Sequence, residues 1–143
     1  MSRSANASGN ARQSGTAACP CGTSLAYAAC CGRWHEGIWH LQAPTAEALM
    51  RSRYAAFVRD KLDYLLQTWH PDTRPLAIEP NPPGCKWLGL RIVVAHARQD
   101  SDHATVEFVA RRRDAGRAWR LHETSRFVRV DGRWLYLDGE FPA

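Results

Sequence analysis

Long apolar runs and lysine are scarce in this sequence of 143 residues. No stretch approaches the roughly 18 uninterrupted apolar residues that a membrane-spanning helix requires, so an integral membrane protein is not expected. Lysine occurs only as Lys61 and Lys86, although 19 basic residues against 14 acidic ones give a formal net charge of +5. A net positive charge is compatible with an anionic partner. The positions of the arginines decide how strongly it supports one.

Large apolar side chains are also missing from the first 18 residues, Met1 apart. Such a segment cannot bury enough surface to offset the entropy lost on ordering, so residues 1–18 are predicted to form a disordered tail. A secretory signal would need a continuous apolar core of about 7 to 15 residues, which this segment lacks. We therefore expect a cytoplasmic protein, in which thiols stay reduced and clustered cysteines indicate a metal site before disulfides.

Four of the five cysteines fall within the thirteen-residue string CPCGTSLAYAACC. The predicted metal ligands are Cys19, Cys21, Cys30 and Cys31. A helical turn within residues 24–29, capped by the hydroxyl of Thr23 or Ser24, would return the second cysteine pair to the first. Cys85 lies alone in a proline-rich segment and is predicted to be an inert thiol.

Four thiolates saturate a tetrahedral ion, so this site is predicted to be structural rather than catalytic. Zinc is the first expectation, and iron is the alternative because thiolates accept both metals. His35, four residues after the last cysteine, and the more remote His40 are weaker candidates to replace one sulfur.

The cysteine string closely resembles the SEC-C motif, a short metal-binding module of the protein-export motor SecA and of several small bacterial proteins. Tyr27 and all four cysteines match, while Ala26, Ala28 and Ala29 stand where lysines are usual. The resemblance implies a bound metal and a protein partner that docks on the module.

The rest of the chain is similar to the YchJ-like family of bacterial proteins. The matching blocks are TAEALMRSRYAAFV, DYLLQTWHPDTR, WLGLRI, VEFVAR, ETSRFVR and DGRWLYLDG. The resemblance covers about residues 19–141 and implies a core similar to nuclear transport factor 2 (NTF2), a curved sheet wrapped by helices into a cone with a pocket. It implies a metal knuckle with its linker over 19–43 and an NTF2-like domain over 44–141, but no particular reaction.

The spacing of the apolar residues predicts an α+β fold without reference to that family. Helical periodicity favours helices over 46–60, with Thr45 as N-cap, and over 62–69, followed by a proline-rich loop. Alternating apolar residues and turn signals then predict four strands, over 88–97, 104–113, 117–130 and 133–137. Helices followed by an antiparallel meander are typical of an α+β domain.

Polar residues that interrupt the apolar faces are the candidates for a pocket. They are Arg53, Tyr54, His70, Glu107, Glu123 and Arg126. Apolar neighbours indicate that Glu107 and Glu123 are buried, and a buried carboxylate must find a partner or shift its pKa. We favour an ion pair with Arg53 that joins helix to sheet. The alternative is a small-molecule enzyme of hydrolase or isomerase type, with either Glu as general base and His70 or Tyr54 as acid.

The densest basic cluster is Arg111-Arg112-Arg113, which faces Arg117 and Arg120 across a predicted turn. With Trp119 available to stack on a base, this hairpin could contact the ribosome or a nucleic acid. An arginine-rich hairpin is more often a solvated edge that discourages strand pairing. The sequence therefore favours a cytoplasmic, metal-binding accessory protein over an enzyme or a nucleic-acid-binding protein.

Overall fold

The computed structural model describes residues 17–97 and 101–142. In these residues helices come first and strands second, as the change of apolar period predicts. The predicted tail lies outside the described residues except for Ala17 and Ala18. No described helix has both the length and the hydropathy needed to cross a membrane.

Two short helical elements precede the main helices. A 3-10 turn spans Tyr27–Ala29, and helix α1 spans Gly32–His35. Helix α2 spans Ala46–Val58 and helix α3 spans Leu62–Gln67. The hydroxyl of Thr45 accepts a hydrogen bond from the backbone N–H of Ala48 at 3.0 Å, so the predicted N-cap of α2 is confirmed.

Both main helices end two residues earlier than the apolar pattern indicates. Asp60 has a left-handed φ of 54°, which ends the run of helical backbone after α2. Trp69 leaves α3 to form an isolated parallel bridge with Tyr136. Periodicity continues past a helix end because a side chain can face the core without its backbone being helical.

The four strands form one antiparallel sheet in chain order. They are β1 (Lys86–Ala97), β2 (His103–Asp114), β3 (Arg117–Val130) and β4 (Arg133–Glu140). Ala115-Gly116 and Asp131-Gly132 join the last three strands, and all four residues have positive φ. Positive φ at both central residues matches the twist of the flanking strands, which explains why these turns were predictable. Register shifts in β1 and at Arg126/Phe127 bend the sheet.

The core lies between α2 and one face of the sheet. Helix α2 contributes Leu49, Met50 and Tyr54, and the sheet contributes a matching set of apolar side chains: Ala104, Val106, Phe108, Ala110, Phe127 and Trp134. The even-numbered residues of β2 point to α2 because successive side chains of a strand alternate between faces. This packing places the polar residues on the same face of the sheet next to the helix.

Candidate metal centre and cavity

The cysteine string folds into a compact knuckle. Ala18 pairs with Ala26 in an isolated antiparallel bridge, and the backbone N–H of Cys19 donates to the carbonyl of Leu25 at 2.8 Å. Gly22 has a left-handed φ of 91°, a conformation that glycine adopts without strain. The chain therefore reverses between the two cysteine pairs, and the 3-10 turn delivers the second pair.

The predicted hydroxyl cap of this turn is wrong. The N-cap residue is Ala26, and no side chain caps it. The hydroxyl of Thr23 instead accepts from the backbone N–H of Leu25 at 3.3 Å and lies 3.1 Å from Cys30 Sγ. Ser24 has a left-handed φ of 72°, so a right-handed helical turn does not begin there.

The four sulfur atoms of Cys19, Cys21, Cys30 and Cys31 all lie within 4.8 Å of one another. Four ligands at about 2.3 Å from a tetrahedral ion are separated by about 3.8 Å. The Sγ atoms of Cys21 and Cys30 are 3.6 Å apart, and none of the four cysteines forms a disulfide. All four are buried, with exposed fractions of 0 to 6%. The donor set and its spacing therefore fit one thiolate-bound metal ion.

Hydrogen bonds among the thiols distribute the protons of this cluster. Those from Cys19 and Cys31 lower the pKa of Cys21, whose sulfur is the acceptor. The same contacts, together with burial, raise the pKa of Cys19 to about 11 and also raise the pKa of Cys31. A metal ion would displace these protons, so binding is expected to release protons to solvent.

The two histidines proposed as substitute ligands lie outside the sulfur cluster. His35 is buried, with its Nδ1 2.5 Å from the hydroxyl of Tyr27 and its Nε2 2.8 Å from the carbonyl oxygen of Ser52. Both ring nitrogens are thus engaged, and burial lowers the pKa of His35 to about 4. His40 lies beside Tyr64 instead, with 6.3 Å between the ring centroids.

The knuckle packs directly on α2 and β1. Arg51 Nη1 donates to the carbonyl of Cys21 at 2.8 Å, and the Arg59 guanidinium lies 4.0 Å from the centroid of the Tyr27 ring. The buried cysteines pack against Ala55 of α2 and Leu90 of β1. A metal in this cluster would therefore sit where the knuckle meets the helix and the sheet.

A separate cavity of about 450 Å³ lies between α2, the proline-rich loop and the sheet. Arg53, Tyr54 and Glu123 line it, so the structure brings together three of the six pocket candidates. The other lining residues are mainly apolar or aromatic: Met50, Phe57, Trp69, Glu79, Pro80, Asn81, Pro82, Trp87, Phe108, Ala110, Arg112, Leu121, Ser125 and Tyr136.

Glu107 is not in this cavity. Its neighbour Phe108 faces α2, so alternation turns Glu107 to the opposite face, where its Oε2 lies 2.7 Å from Nε2 of His122. The sequence shows apolar neighbours around both Glu107 and Glu123, and only the packing of α2 reveals which one faces inward.

His70 and Arg126 also lie away from the cavity. His70 follows α3, and its Nδ1 accepts from the backbone N–H of Asp72 at 3.1 Å. Arg126 Nε donates to Asp138 at 2.6 Å and its Nη1 donates to Glu140 at 2.7 Å. Arg126 follows Ser125, a lining residue, so strand alternation directs its side chain to the other face.

Arg53 is a buried cation at the wall of the cavity, with 4% of its surface exposed. Its Nη1 donates to the carbonyl of Leu65 at 2.8 Å and to the hydroxyl of Thr68 at 2.7 Å. The guanidinium carbon lies 5.0 Å from the Trp69 ring and 4.8 Å from the Tyr136 ring. Burial lowers the pKa of Arg53 to about 10, which leaves it charged near neutral pH.

The predicted ion pair between Arg53 and Glu123 does not form in the described part of the chain. The Glu123 carboxylate accepts hydrogen bonds from the hydroxyls of Ser125 at 2.6 Å and Tyr136 at 3.1 Å. Arg53 reaches instead to the end of α3, which it joins to α2. The two charges share a cavity and attract one another through space, with different direct partners.

Several lining residues could not be selected from the sequence. Asn81 Oδ1 accepts from Trp87 Nε1 at 3.1 Å, a contact between a loop and β1 that no spacing indicates. Tyr136 carried a usable signal, since it alternates with Leu135 and Leu137 in the strand predicted over 133–137. Arg112 turns into the cavity while its neighbours in the basic run are exposed.

Comparison with known proteins identifies both parts of the chain. The family model described as YchJ, middle NTF2-like domain, matches residues 45–139, and the SEC-C motif model matches residues 16–33. A UPF0225 protein of Bordetella parapertussis is 67% identical over 127 residues, covering 89% of this chain and 95% of the relative. The chain belongs to the UPF0225 family. A UPF0225 protein of Ralstonia nicotianae is 54% identical over 136 residues, covering 87% of this chain and 92% of the relative.

Two solved structures share the fold. The solution structure of a SEC-C motif containing protein from Rhodopseudomonas palustris is 33% identical, with a TM-score of 0.74, and the match covers 89% of this chain and all of that one. The crystal structure of a SEC-C motif containing protein from Psychrobacter arcticus is 29% identical, with a TM-score of 0.71, over 90% of this chain and 85% of that one. The predicted SEC-C motif and NTF2-like, α+β fold of this UPF0225 chain are confirmed.

Proposed function

We propose that this chain is a cytoplasmic, metal-stabilised accessory protein that binds partners and is not an enzyme. In this proposal residues 19–43 form a knuckle that a structural ion holds against the NTF2-like domain of residues 44–141. The observation that carries it is the cluster of four buried sulfurs within 4.8 Å. Four thiolates leave no open position on a tetrahedral ion for water or substrate, so the ion would contribute folding energy rather than chemistry.

Zinc is the proposed ion, with iron as the alternative. The test is to purify the chain from its own cells, measure the bound metal by mass spectrometry, and identify proteins and small molecules that purify with it. One zinc per chain is expected. Free reaction of all four clustered thiols with a thiol reagent in the native protein, with no bound metal, would contradict the proposal.

The proposed protein partner docks beside the knuckle. Ile38 and Trp39, just after α1, have exposed fractions of 84% and 54%, and Leu25 within the knuckle has 51%. Ile38 and Trp39 are consecutive in the chain, and a contiguous exposed apolar surface marks a protein-binding site. Replacing Ile38 and Trp39 by Ser should abolish co-purification of this partner without loss of the metal.

An enzyme is the second candidate, because the Glu123 carboxylate lies in the cavity with the Tyr136 hydroxyl 3.1 Å away. Burial raises the pKa of Tyr54 to about 12 and also raises the pKa of Tyr136, so both phenols keep their protons near neutral pH. The Tyr136 hydroxyl already donates to Glu123, so Tyr54 is the phenol suited to donate a hydrogen bond to a ligand, which favours binding over base catalysis. Loss of turnover in Glu123→Gln with the fold intact would support the enzyme.

Nucleic-acid or ribosome contact through the Arg111–Arg113 hairpin is a further candidate. The Arg117 guanidinium lies 5.1 Å from the ring of Trp119, which is 47% exposed. Arg112 does not contribute to this surface, since it lies over Trp87 at 5.6 Å. Binding of RNA through this surface should weaken steeply with salt and on replacing Arg111 and Arg113 by Gln, whereas salt-independent binding would exclude it.

A further inference from the structure

The cavity of the NTF2-like domain holds a positive charge without a directly bound counter-ion. Arg53 uses Nη1 for two neutral oxygen acceptors, of Leu65 and Thr68, and no ion pair is formed by it among residues 17–97 and 101–142. A buried charge is stable only when it is paired or well hydrogen-bonded. The remaining donors of the guanidinium suit an anionic group of a ligand, which they can bind in bidentate fashion.

A second donor at the same place also lacks an acceptor. Trp69 lines the cavity, and its ring lies 5.0 Å from the Arg53 guanidinium. The indole N–H of Trp69 is buried and has no hydrogen-bond partner in the part of the chain that the structure describes. Buried donors are almost always paired in native proteins, so this unpaired N–H beside an incompletely paired cation leaves the wall of the cavity short of acceptors at this point.

Aromatic rings also form part of the remaining wall. Tyr54 and Phe57 pack on Trp87 with centroid separations of 5.6 and 6.0 Å, and Trp69 packs on Tyr136 at 5.1 Å. These rings offer both faces and edges to a planar guest. A cavity of about 450 Å³ lies within the size range of small-molecule sites and accommodates one or two fused rings.

We propose that this cavity binds a small aromatic carboxylate, with the carboxylate on Arg53 and the ring among the aromatic side chains. The inference goes beyond the proposed accessory function and assigns the cavity a class of ligand. Glu123 limits where the carboxylate can lie, because its own carboxylate accepts from Ser125 and Tyr136 and repels a second anion. Arg112 and Glu79 also line the cavity and add one charge of each sign. The bound carboxylate is therefore held by Arg53 against a nearby negative charge.

The test compares matched probes on the metal-loaded full chain by isothermal titration calorimetry. 2-Naphthoate and its neutral isostere 2-naphthamide have the same ring and differ in charge. The carboxylate is expected to bind about tenfold more tightly, as a charge-assisted pair should. Equal or tighter binding of the amide, tighter binding of 2-naphthylmethylamine, or no binding of 2-naphthoate at millimolar concentration would overturn the proposal.

Two variants test how the charges of Glu123 and Arg53 change the affinity for 2-naphthoate. Glu123→Gln keeps an oxygen acceptor for Ser125 and Tyr136 and removes the repulsion, so it should tighten 2-naphthoate severalfold and leave 2-naphthamide unchanged. Weaker 2-naphthoate binding in this variant would overturn the proposal. Arg53→Gln should abolish the preference for the carboxylate, and because it can also loosen α2 from α3, the decision rests on the probe pair and on Glu123→Gln.

Metal content measured on the same samples separates this inference from the wider proposal. Loss of the carboxylate preference in chains that retain one metal ion overturns the ligand class and leaves the metal site standing. Absence of metal in chains that still prefer 2-naphthoate overturns the metal site and leaves the ligand class standing.

Discussion

The knuckle and the NTF2-like domain are held together by different means. Among residues 19–43 the buried side chains are four cysteines, Tyr27, His35 and Ala43, and regular structure amounts to a 3-10 turn and one turn of helix. The domain has four paired strands and a contiguous apolar core under α2. A segment with so little apolar surface cannot fold by burial alone, so the proposed ion and the docking on α2 and β1 would stabilise the knuckle, whereas the domain has its own apolar core.

The largest difference in stability between the two regions is expected when one cysteine of the cluster is replaced. Cys30→Ser is expected to lose the metal and to lower the hydrogen-exchange protection of the Tyr27–His35 amides by several orders of magnitude, because thiolate binding of the ion supplies the folding energy of this segment. The β2 and β3 amides should keep their protection. Cys85→Ser is the matched control, since Cys85 lies outside the sulfur cluster and its replacement should change neither metal content nor exchange.

Acid should act on the knuckle through His35. Its pKa is about 4 in the folded protein and near 6.5 when exposed, so the folded state favours the neutral ring. The stability contribution of this group is complete above about pH 6.5 and is lost as the pH falls toward 4, by up to about 3 kcal/mol.

The measurement is urea unfolding of the metal-loaded protein at several pH values. His35→Gln keeps the same four cysteines, so proton uptake by the sulfurs cancels in the comparison. The variant should be less stable at pH 7.5 and show a flatter dependence on pH. The same slope in both proteins would show that His35 does not contribute.

In each region one glycine lies so close to another residue that an added methyl group would not fit. Replacing these glycines by Ala therefore tests whether the two regions are independent. A Cβ at Gly32 would lie 2.8 Å from the Tyr27 carbonyl oxygen and 2.9 Å from its ring, and a Cβ at Gly139 would overlap the Glu123 carboxylate. Each change to Ala should cost about 1–3 kcal/mol, as overpacking does. Gly32→Ala should reduce exchange protection in the knuckle only, and Gly139→Ala in β3 and β4 only. Spread of either effect across both regions would contradict their independence.

The smallest effect is expected at the surface of the sheet. Arg126 bonds Asp138 and Glu140, but its side chain is 43% exposed, and water and salt screen such pairs. Arg126→Gln should leave the midpoint of thermal unfolding within a degree or two of the parent value, as exposed ion pairs contribute little. A large decrease would show that this side chain holds β3 to β4.

The predictability of the two regions differs for a physical reason. The four clustered cysteines are close in sequence, so a short loop brings their sulfurs together, and their spacing alone predicted this cluster. The cavity is assembled from α2, a loop and all four strands, and its composition depends on which strand face packs on the helix. Alternation therefore placed Glu123 correctly on the same strand face as Ser125. It could not show that this face packs on α2 while Glu107 lies on the opposite face of the sheet.

The contact of the cysteines with Leu90 has a consequence for synthesis. The four sulfur ligands leave the ribosome some 60 residues before Leu90, the part of β1 on which they pack. The ion can thus be captured by a nascent segment whose docking surface does not yet exist. β4, which carries Tyr136 into the cavity, is made last of all the strands. Biogenesis would then run from metal capture, through docking on α2 and β1, to completion of the ligand cavity.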